Sequence, residues 1–444
     1  MQTPVYDFAR QYADSGAVRM HMPGHKGQAM LGCEALDLTE IAGADSLFEA
    51  EGILAESEAN AGELFGCRTL YSAEGSSLCI RAMLYLALQH AAASGRRPVI
   101  AAARNAHKTF LTAAMLLGAE IRWLPQEQGE SYLTGALSDA ALESCLCGES
   151  KPAALYLTSP DYLGCLCDIR KAAEFCHAND MLLLADNAHG AYLRFLPASL
   201  HPADLGADLC CDSAHKTLPV LTGGAYLHIA DSAPVICKNR AKQAMAMFAS
   251  TSPSYLILES LDLCNRYLAE GYREKLAAFT QRVQQMKTAL ASAGLTLCGT
   301  EPLKITLRTR PAGYRGDQLA EILQNAGIFC EFGDPDYLVM MLTPENPECD
   351  LLRVQEALCA LPKRDPLPEP LLPALNYPLN LRPRSLLFAE TETLPVAECC
   401  GRICAALTLS CPPAVPIVMC GEEITEAAVQ WLTYYGTDRC RVLK

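Results

Sequence analysis

Short apolar runs alternate with longer helix-like stretches through the middle of this chain, and that alternation restricts the fold more than any other feature. The runs at 98–102, 120–124, 153–157, 181–185, 208–211 and 225–229 read as strands. Stretches with helical spacing lie between them at 76–92, 107–117 and 169–179. The pattern predicts an α/β fold, a mainly parallel sheet covered by helices. In open sheets of this kind ligands collect outside the carboxyl ends of the strands. Thr158-Ser159-Pro160, Asp186-Asn187-Ala188-His189 and Ser213-Ala214-His215-Lys216 each follow one of the runs, so three segments are expected to converge on one pocket.

The texture changes after about residue 260. A long helix is predicted over 256–290, broken near Gly271, then strands at 303–307 and 337–342 flanking a helix at 317–326. A Pro-rich connection covers 361–383, and further helices are expected at 390–407 and 425–435. This divides the chain into an amino-terminal segment, 1–50, that contributes to a site or a dimer, a large domain, 51–295, and a smaller α/β domain with a carboxyl-terminal extension, 296–444. With 444 residues, 50% of them hydrophobic, the chain can bury more than one core.

Several function classes lose ground on composition. The net charge of -14 comes without a broad basic stripe, which argues against a nucleic-acid partner. Asp7, Arg10 and Asp14 stand where a secretory signal needs an apolar run, and no run reaches membrane-spanning length. The 22 cysteines then read as reduced thiols in a cytoplasmic protein. The pairs Cys145 and Cys147, Cys165 and Cys167, Cys210 and Cys211, and Cys399 and Cys400 do not repeat a zinc-finger spacing. His21 and His25 have the spacing of helical zinc ligands, but Pro23 and Gly24 between them disfavour a helix. No metal is expected. Gly24-His25-Lys26-Gly27 falls short of a P-loop, and no nicotinamide fingerprint follows a strand.

One inventory does fit. Pyridoxal phosphate needs a lysine for its aldehyde, a carboxylate for its ring nitrogen, a flat group over the ring and donors for its phosphate. Lys216, Asp186, His107 and the set Ser76, Ser77 and Ser213 fill those roles, the serines at 76 and 77 opening a helix after Gly75. Ser76 and Ser77 read equally as an ordinary helix cap, and a lone Asp after a strand is commonly a cap or ligand.

Ordered motifs go further. His21-Met22-Pro23-Gly24-His25-Lys26-Gly27, Arg104-Asn105-Ala106-His107-Lys108, Thr158-Ser159-Pro160 and Asp186-Asn187-Ala188-His189-Gly190-Ala191 come first. Asp212-Ser213-Ala214-His215-Lys216-Thr217-Leu218-Pro219, Ser250-Thr251-Ser252-Pro253-Ser254-Tyr255 and Gly421-Glu422-Glu423-Ile424-Thr425 complete the set. Together they resemble the bacterial ornithine/lysine/arginine decarboxylases over nearly the whole chain. The resemblance implies fold type I, with a seven-stranded, mainly parallel sheet in the major domain. It implies that Lys216 forms the Schiff base, Asp186 pairs with the pyridine nitrogen, His107 stacks on one ring face and Ala188 packs on the other. Ser76, Ser77 and Ser213 would hold the phosphate, and His215 would lie beside the lysine. His189 either orients Asp186 or approaches the substrate. Thr251 and Ser252 would reach the phosphate of a second copy in a homodimer with shared sites. The signature begins at His21, so the expected form lacks the amino-terminal wing lobe and is a dimer rather than a decamer. Asn187, Ala214 and Gly223 depart from the family's usual glutamate, threonine and glutamine, which leaves substrate choice and dimer contacts open.

The implied reaction is loss of carbon dioxide from a small cationic amino acid, with arginine or lysine preferred to ornithine. The acid that returns the proton is Lys216, His215 or a residue of the other chain. Glu331, Asp334 and Glu422 are the candidate anchors for the distal cation, and each reads equally as a surface carboxylate. Aminotransfer or aldol cleavage is the alternative; it asks for an arginine clamp, for which Arg68, Arg104 and Arg315 are candidates. A non-catalytic cofactor-binding protein is a third reading, against which the intact Lys216, Asp186 and His107 argue.

Overall fold

A run such as Leu182–Asp186, apolar up to its last residue and buried throughout, is stable only with cover on both faces. Seven strands form the main sheet of the computed structural model, which describes residues 1–126, 131–135, 137–378, 381–407 and 413–444. They are β1 (Arg68–Ser72), β2 (Val99–Ala102), β3 (Glu120–Trp123), β4 (Ala154–Thr158), β5 (Leu182–Asp186), β6 (Leu209–Asp212) and β7 (Ala225–Ile229). Their order is β1-β7-β6-β5-β4-β2-β3. The sheet is mainly parallel, with β7 antiparallel to both β1 and β6. The expected runs match six strands within a residue at either end. The addition is β1, whose apolar centre is only Thr69-Leu70-Tyr71 and whose strand character comes from pairing with β7.

Two compact units share out the chain, and neither is continuous. The first comprises Met1–Arg97, Ala153–Tyr156 and Ile169–Ala277; the second comprises Pro98–Pro152, Leu157–Asp168 and Ala278–Lys444. These spans do not follow the three consecutive segments read from the sequence.

In the first unit, the helix Gly75–Ala93 buries Leu78, Cys79, Ala82, Met83 and Leu86. The helix Pro4–Asp14 is pinned at its start by Asp262, whose Oδ2 accepts from the amides of Val5 and Tyr6 at 2.9 and 3.0 Å. The long helix expected over 256–290 is two, Tyr255–Ala269 and Tyr272–Ser292. The break falls where expected, at Gly271, whose φ of +78° ends a helix at little cost.

The second unit holds an antiparallel sheet of β8 (Thr296–Cys298), β9 (Lys304–Arg308), β10 (Phe332–Gly333) and β11 (Tyr337–Met341), in the order β10-β11-β9-β8. The helix expected at 390–407 does not form among the described residues. Thr391–Pro395 is instead a strand, β12, paired with β13 (Arg439–Leu443) and followed by a short 3-10 turn, Val396–Glu398. Two β-branched threonines and a proline without an N–H favour the extended form once a partner strand is present. The last expected helix does form, at Glu426–Tyr434, with Thr425 Oγ1 accepting from the Ala428 amide.

Candidate active site

The carboxyl ends of β5 and β6 place the central pair in the first unit. Asp186 closes β5 and is 2% exposed. Its Oδ2 accepts from the Tyr156 hydroxyl at 2.8 Å and its Oδ1 from the Ala188 amide at 3.2 Å. Both oxygens are thus oriented before any ligand arrives. Tyr156 is a site residue the sequence reading missed; its only signal is a hydroxyl inside the apolar run of β4. Ala188 itself is half-buried.

Beyond β6 the chain turns through Ser213 into a four-residue helix, Ala214–Thr217, that carries Lys216. Lys216 Nζ lies 2.9 Å from His189 Nε2. This contact puts His189 beside the lysine, a place that neither reading of it, orienting Asp186 or approaching the substrate, names. His215 donates from Nδ1 to the Gly224 carbonyl at 3.0 Å, and burial pushes its pKa down, so the ring is neutral at physiological pH.

The helix start at Gly75 joins the same end. Ser213 Oγ donates to Ser76 Oγ at 2.8 Å, and the Gly75 amide donates to the Gly223 carbonyl at 2.7 Å. Ser76 and Ser77 are half-buried in the first turn of a 19-residue helix, where amide N–H groups and the helix dipole favour an anion. Gly223 has φ +102°, and a Cβ there would stand 3.0 Å from the Ala73 carbonyl oxygen. The departure from glutamine is therefore built into the backbone. Thr251 and Ser252 are exposed on a turn held to Glu74, whose Oε1 accepts from the Ser250 amide at 2.7 Å.

The second unit holds the remaining candidates. His107 caps the helix Lys108–Leu117, its Nδ1 accepting from the Thr109 amide at 3.2 Å. Glu331 is exposed and accepts from the Tyr162 hydroxyl at 3.0 Å. Asp334 is buried, its Oδ1 takes the amides of Asp336 and Tyr337, and burial pushes its carboxyl up to about 7. Glu422 is 0% exposed, and its two oxygens accept from Arg104 at 2.6 and 2.8 Å. A carboxylate so engaged has nothing to offer a substrate cation, so Glu422 is corrected from anchor to structural partner. The pair also disposes of Arg104 as a clamp. Arg315 is held by Asp317 at 2.6 Å, and in the first unit Arg68 donates to the Lys238 carbonyl. No disulfide joins cysteines among the described residues.

The donor set suits pyridoxal phosphate: an amine, a buried carboxylate with both oxygens oriented, and hydroxyls at a helix start. Comparison with known proteins agrees. The Orn/Lys/Arg decarboxylase major domain matches residues 3–306, and the carboxyl-terminal domain of the same family matches 382–438. An arginine decarboxylase of Bacillus subtilis is 28% identical over 97% of this chain and 93% of its own length. Another, from Halalkalibacterium halodurans, is also 28% identical, over 97% and 93%. Among solved structures, the constitutive lysine decarboxylase of Escherichia coli superposes with a TM-score of 0.77 at 17% identity, covering 100% of this chain and 82% of that one. Lysine decarboxylase A of Pseudomonas aeruginosa gives 0.80 at 17% identity, covering 99% and 80%.

Proposed function

Because this chain belongs to the Orn/Lys/Arg decarboxylase family, a family of pyridoxal-phosphate enzymes that decarboxylate basic amino acids, we propose that arginine is its substrate. The arginine preference rests on the Bacillus relatives, which match nearly the whole chain. The observation that carries the catalytic reading is that Asp186 closes β5 while Lys216 follows just beyond the end of its paired strand β6. No described helix is long and apolar enough to cross a membrane.

Pyridoxal phosphate, when bound, supplies an electron sink for the pair left behind when the Cα–carboxylate bond breaks. The chain's own residues do the rest. Lys216 would link to the aldehyde carbon, whose oxygen would leave as water, and His189, 2.9 Å from its Nζ, is placed to take a proton from the ammonium. Asp186 accepts the ring N–H, held for that task by Tyr156 and the Ala188 amide. Ser76, Ser77 and Ser213 would take the phosphate and Ala188 would cover one ring face; the stacking role on the other face is proposed for His107 from the family pattern alone. The proton returned to Cα would come from Lys216; His215, whose ring is neutral and whose Nδ1 proton is held by the Gly224 carbonyl, is the weaker of the two candidates. Positioned proton donors of this kind contribute about 10²–10⁴-fold. Glu331 is the proposed anchor for the guanidinium, and Asp334 lies close to it in sequence. In the homodimer we propose, a second copy presents Thr251 and Ser252, and the exposed Val18, Met20, Met22, Met30 and Leu31 are covered. A cytoplasmic setting follows from the same reading.

The direct test supplies purified protein and pyridoxal phosphate with arginine, lysine or ornithine, and follows carbon dioxide and amine. Release from arginine without a 2-oxo acid is expected. A strict requirement for an oxo-acid acceptor would mean aminotransfer instead. In the same assay Glu331→Gln should raise KM for arginine about 10–100-fold, the loss of one charge-assisted hydrogen bond, with kcat little changed. An unaltered order of substrates removes Glu331 from the site. Asp186→Ala should lower kcat about 10²-fold and loosen the cofactor, measured by equilibrium dialysis.

A further inference from the structure

Behind the residues that meet the cofactor lies a buried carboxylate that the reaction does not touch. Asp212 ends β6, is 0% exposed, and directly precedes Ser213 and the short helix of Lys216. Its Oδ1 accepts from Asn187 Nδ2 at 2.6 Å. Its Oδ2 accepts from Nε2 of His201 and from Nε2 of His228, each at 3.0 Å. Asn187 follows Asp186 at the end of β5, His228 lies on β7, and His201 opens the 3-10 turn Pro202–Leu205. One side chain thereby ties four segments together. Burial alone would raise the carboxyl of Asp212, but the two imidazoles hold it well below the usual carboxylate range. The Phe65 ring closes the cluster to water, its centroid 4.6 Å from that of His228 and 5.7 Å from that of His201.

His201, Asp212 and His228 also have the spacing of metal ligands. The hydrogen bonds favour protons over an ion. His201 Nδ1 accepts from the Ala203 amide at 3.3 Å, so the ring's proton sits on Nε2, pointing at Asp212. An ion on Nε2 would drive that proton to Nδ1, where it would face another N–H.

We propose that Asp212 is a positioning residue: with Asn187, His201 and His228 it locks the end of β6 to the end of β5 and so sets Lys216 against Asp186. This rests on the cofactor reading given above. It also accounts for Asn187, where the family pattern has glutamate. An amide donates to Asp212; a glutamate would bring a second carboxylate to the same spot.

The test uses the holoenzyme and the variants Asp212→Ala, Asp212→Asn and Asn187→Ala. Asparagine at 212 can keep every bond. Its oxygen accepts from both histidines and, once the Asn187 amide turns over, its own amide donates to Asn187 Oδ1, a buried atom without a hydrogen-bond partner among the described residues. A misplacement on the order of 1 Å costs about 10²-fold. Asp212→Ala should therefore lose about 10²-fold in kcat with KM for arginine nearly constant. The pH midpoint of the lysine-bound cofactor's absorbance band should move as well. Asp212→Asn should recover most of kcat, and Asn187→Ala should lose about 10-fold with only a small fall in Tm. Parental kcat and parental midpoint in Asp212→Ala, with a lower Tm alone, would reduce Asp212 to a fold-stabilising residue. Equal impairment of Asp212→Asn and Asp212→Ala would also overturn the proposal, since charge and not position would then matter. Should Asp212→Ala fail to fold, Asn187→Ala decides. Borohydride fixation of the cofactor on Lys216 of the parent is the separate control: its failure would sink the cofactor reading, not this one.

Discussion

Lys216→Ala protein should turn over no basic amino acid above background, a loss of at least about 10⁴-fold. On the proposed reading, alanine removes both the group that would bind the aldehyde carbon and the leading candidate for the returned proton. The two tasks belong to one amine, so their loss is felt in a single variant and cannot be divided between them. His189, 2.9 Å from Lys216 Nζ, cannot substitute, because an imidazole does not form the required link to an aldehyde. The measurement is borohydride reduction of the loaded protein followed by peptide mapping. Parent protein should carry reduced cofactor on the peptide containing residue 216, and the variant should carry none. Lys216→Arg keeps the cation but lacks the nucleophile, so it should be equally inactive. Substantial turnover by either variant, with cofactor fixed on a different lysine, would end the assignment.

The second large effect concerns stability. Arg104→Ala should destabilise the protein by about 3–5 kcal/mol in urea unfolding. The Arg104 guanidinium meets both oxygens of Glu422 and lies over the Tyr377 ring, 3.4 Å from its centroid. Without it, a carboxylate that is 0% exposed keeps, among the described residues, the Met419 amide at 2.7 Å. The cost lies in the stranded charge rather than in the lost contact, and that distinction can be measured. Arg104→Leu combined with Glu422→Leu removes both charges and should recover most of the loss. A double variant as unstable as the single one would show that packing over Tyr377 carries the effect instead.

Local patterning made the frame of the large sheet readable, because buried parallel strands are continuous apolar runs with polar residues at one end. Asp186 and Lys216 stood out for that reason. The residues that hold them did not. Tyr156 is one aromatic among several in apolar runs, and only the tertiary fold turns its hydroxyl toward Asp186. His201 and His228 carry no motif, yet they converge on Asp212. Glu422 was read as a substrate anchor because a carboxylate in a family motif invites that reading. Its partner lies 318 residues away, and no periodicity connects them. Strand β12 failed in the same way: a strand that depends on a partner at the chain's far end looks locally like something else.

The link from Ser213 to Ser76 spans 137 residues of chain. During synthesis the serine-bearing helix start is therefore made long before the segment that completes it. At about 5–20 residues per second the interval is on the order of 10 s. On the proposed reading, the nascent chain displays through that wait half a phosphate cradle and no lysine to retain the coenzyme, so capture of pyridoxal phosphate waits until at least position 216 of 444 has been made and cannot guide the earliest folding.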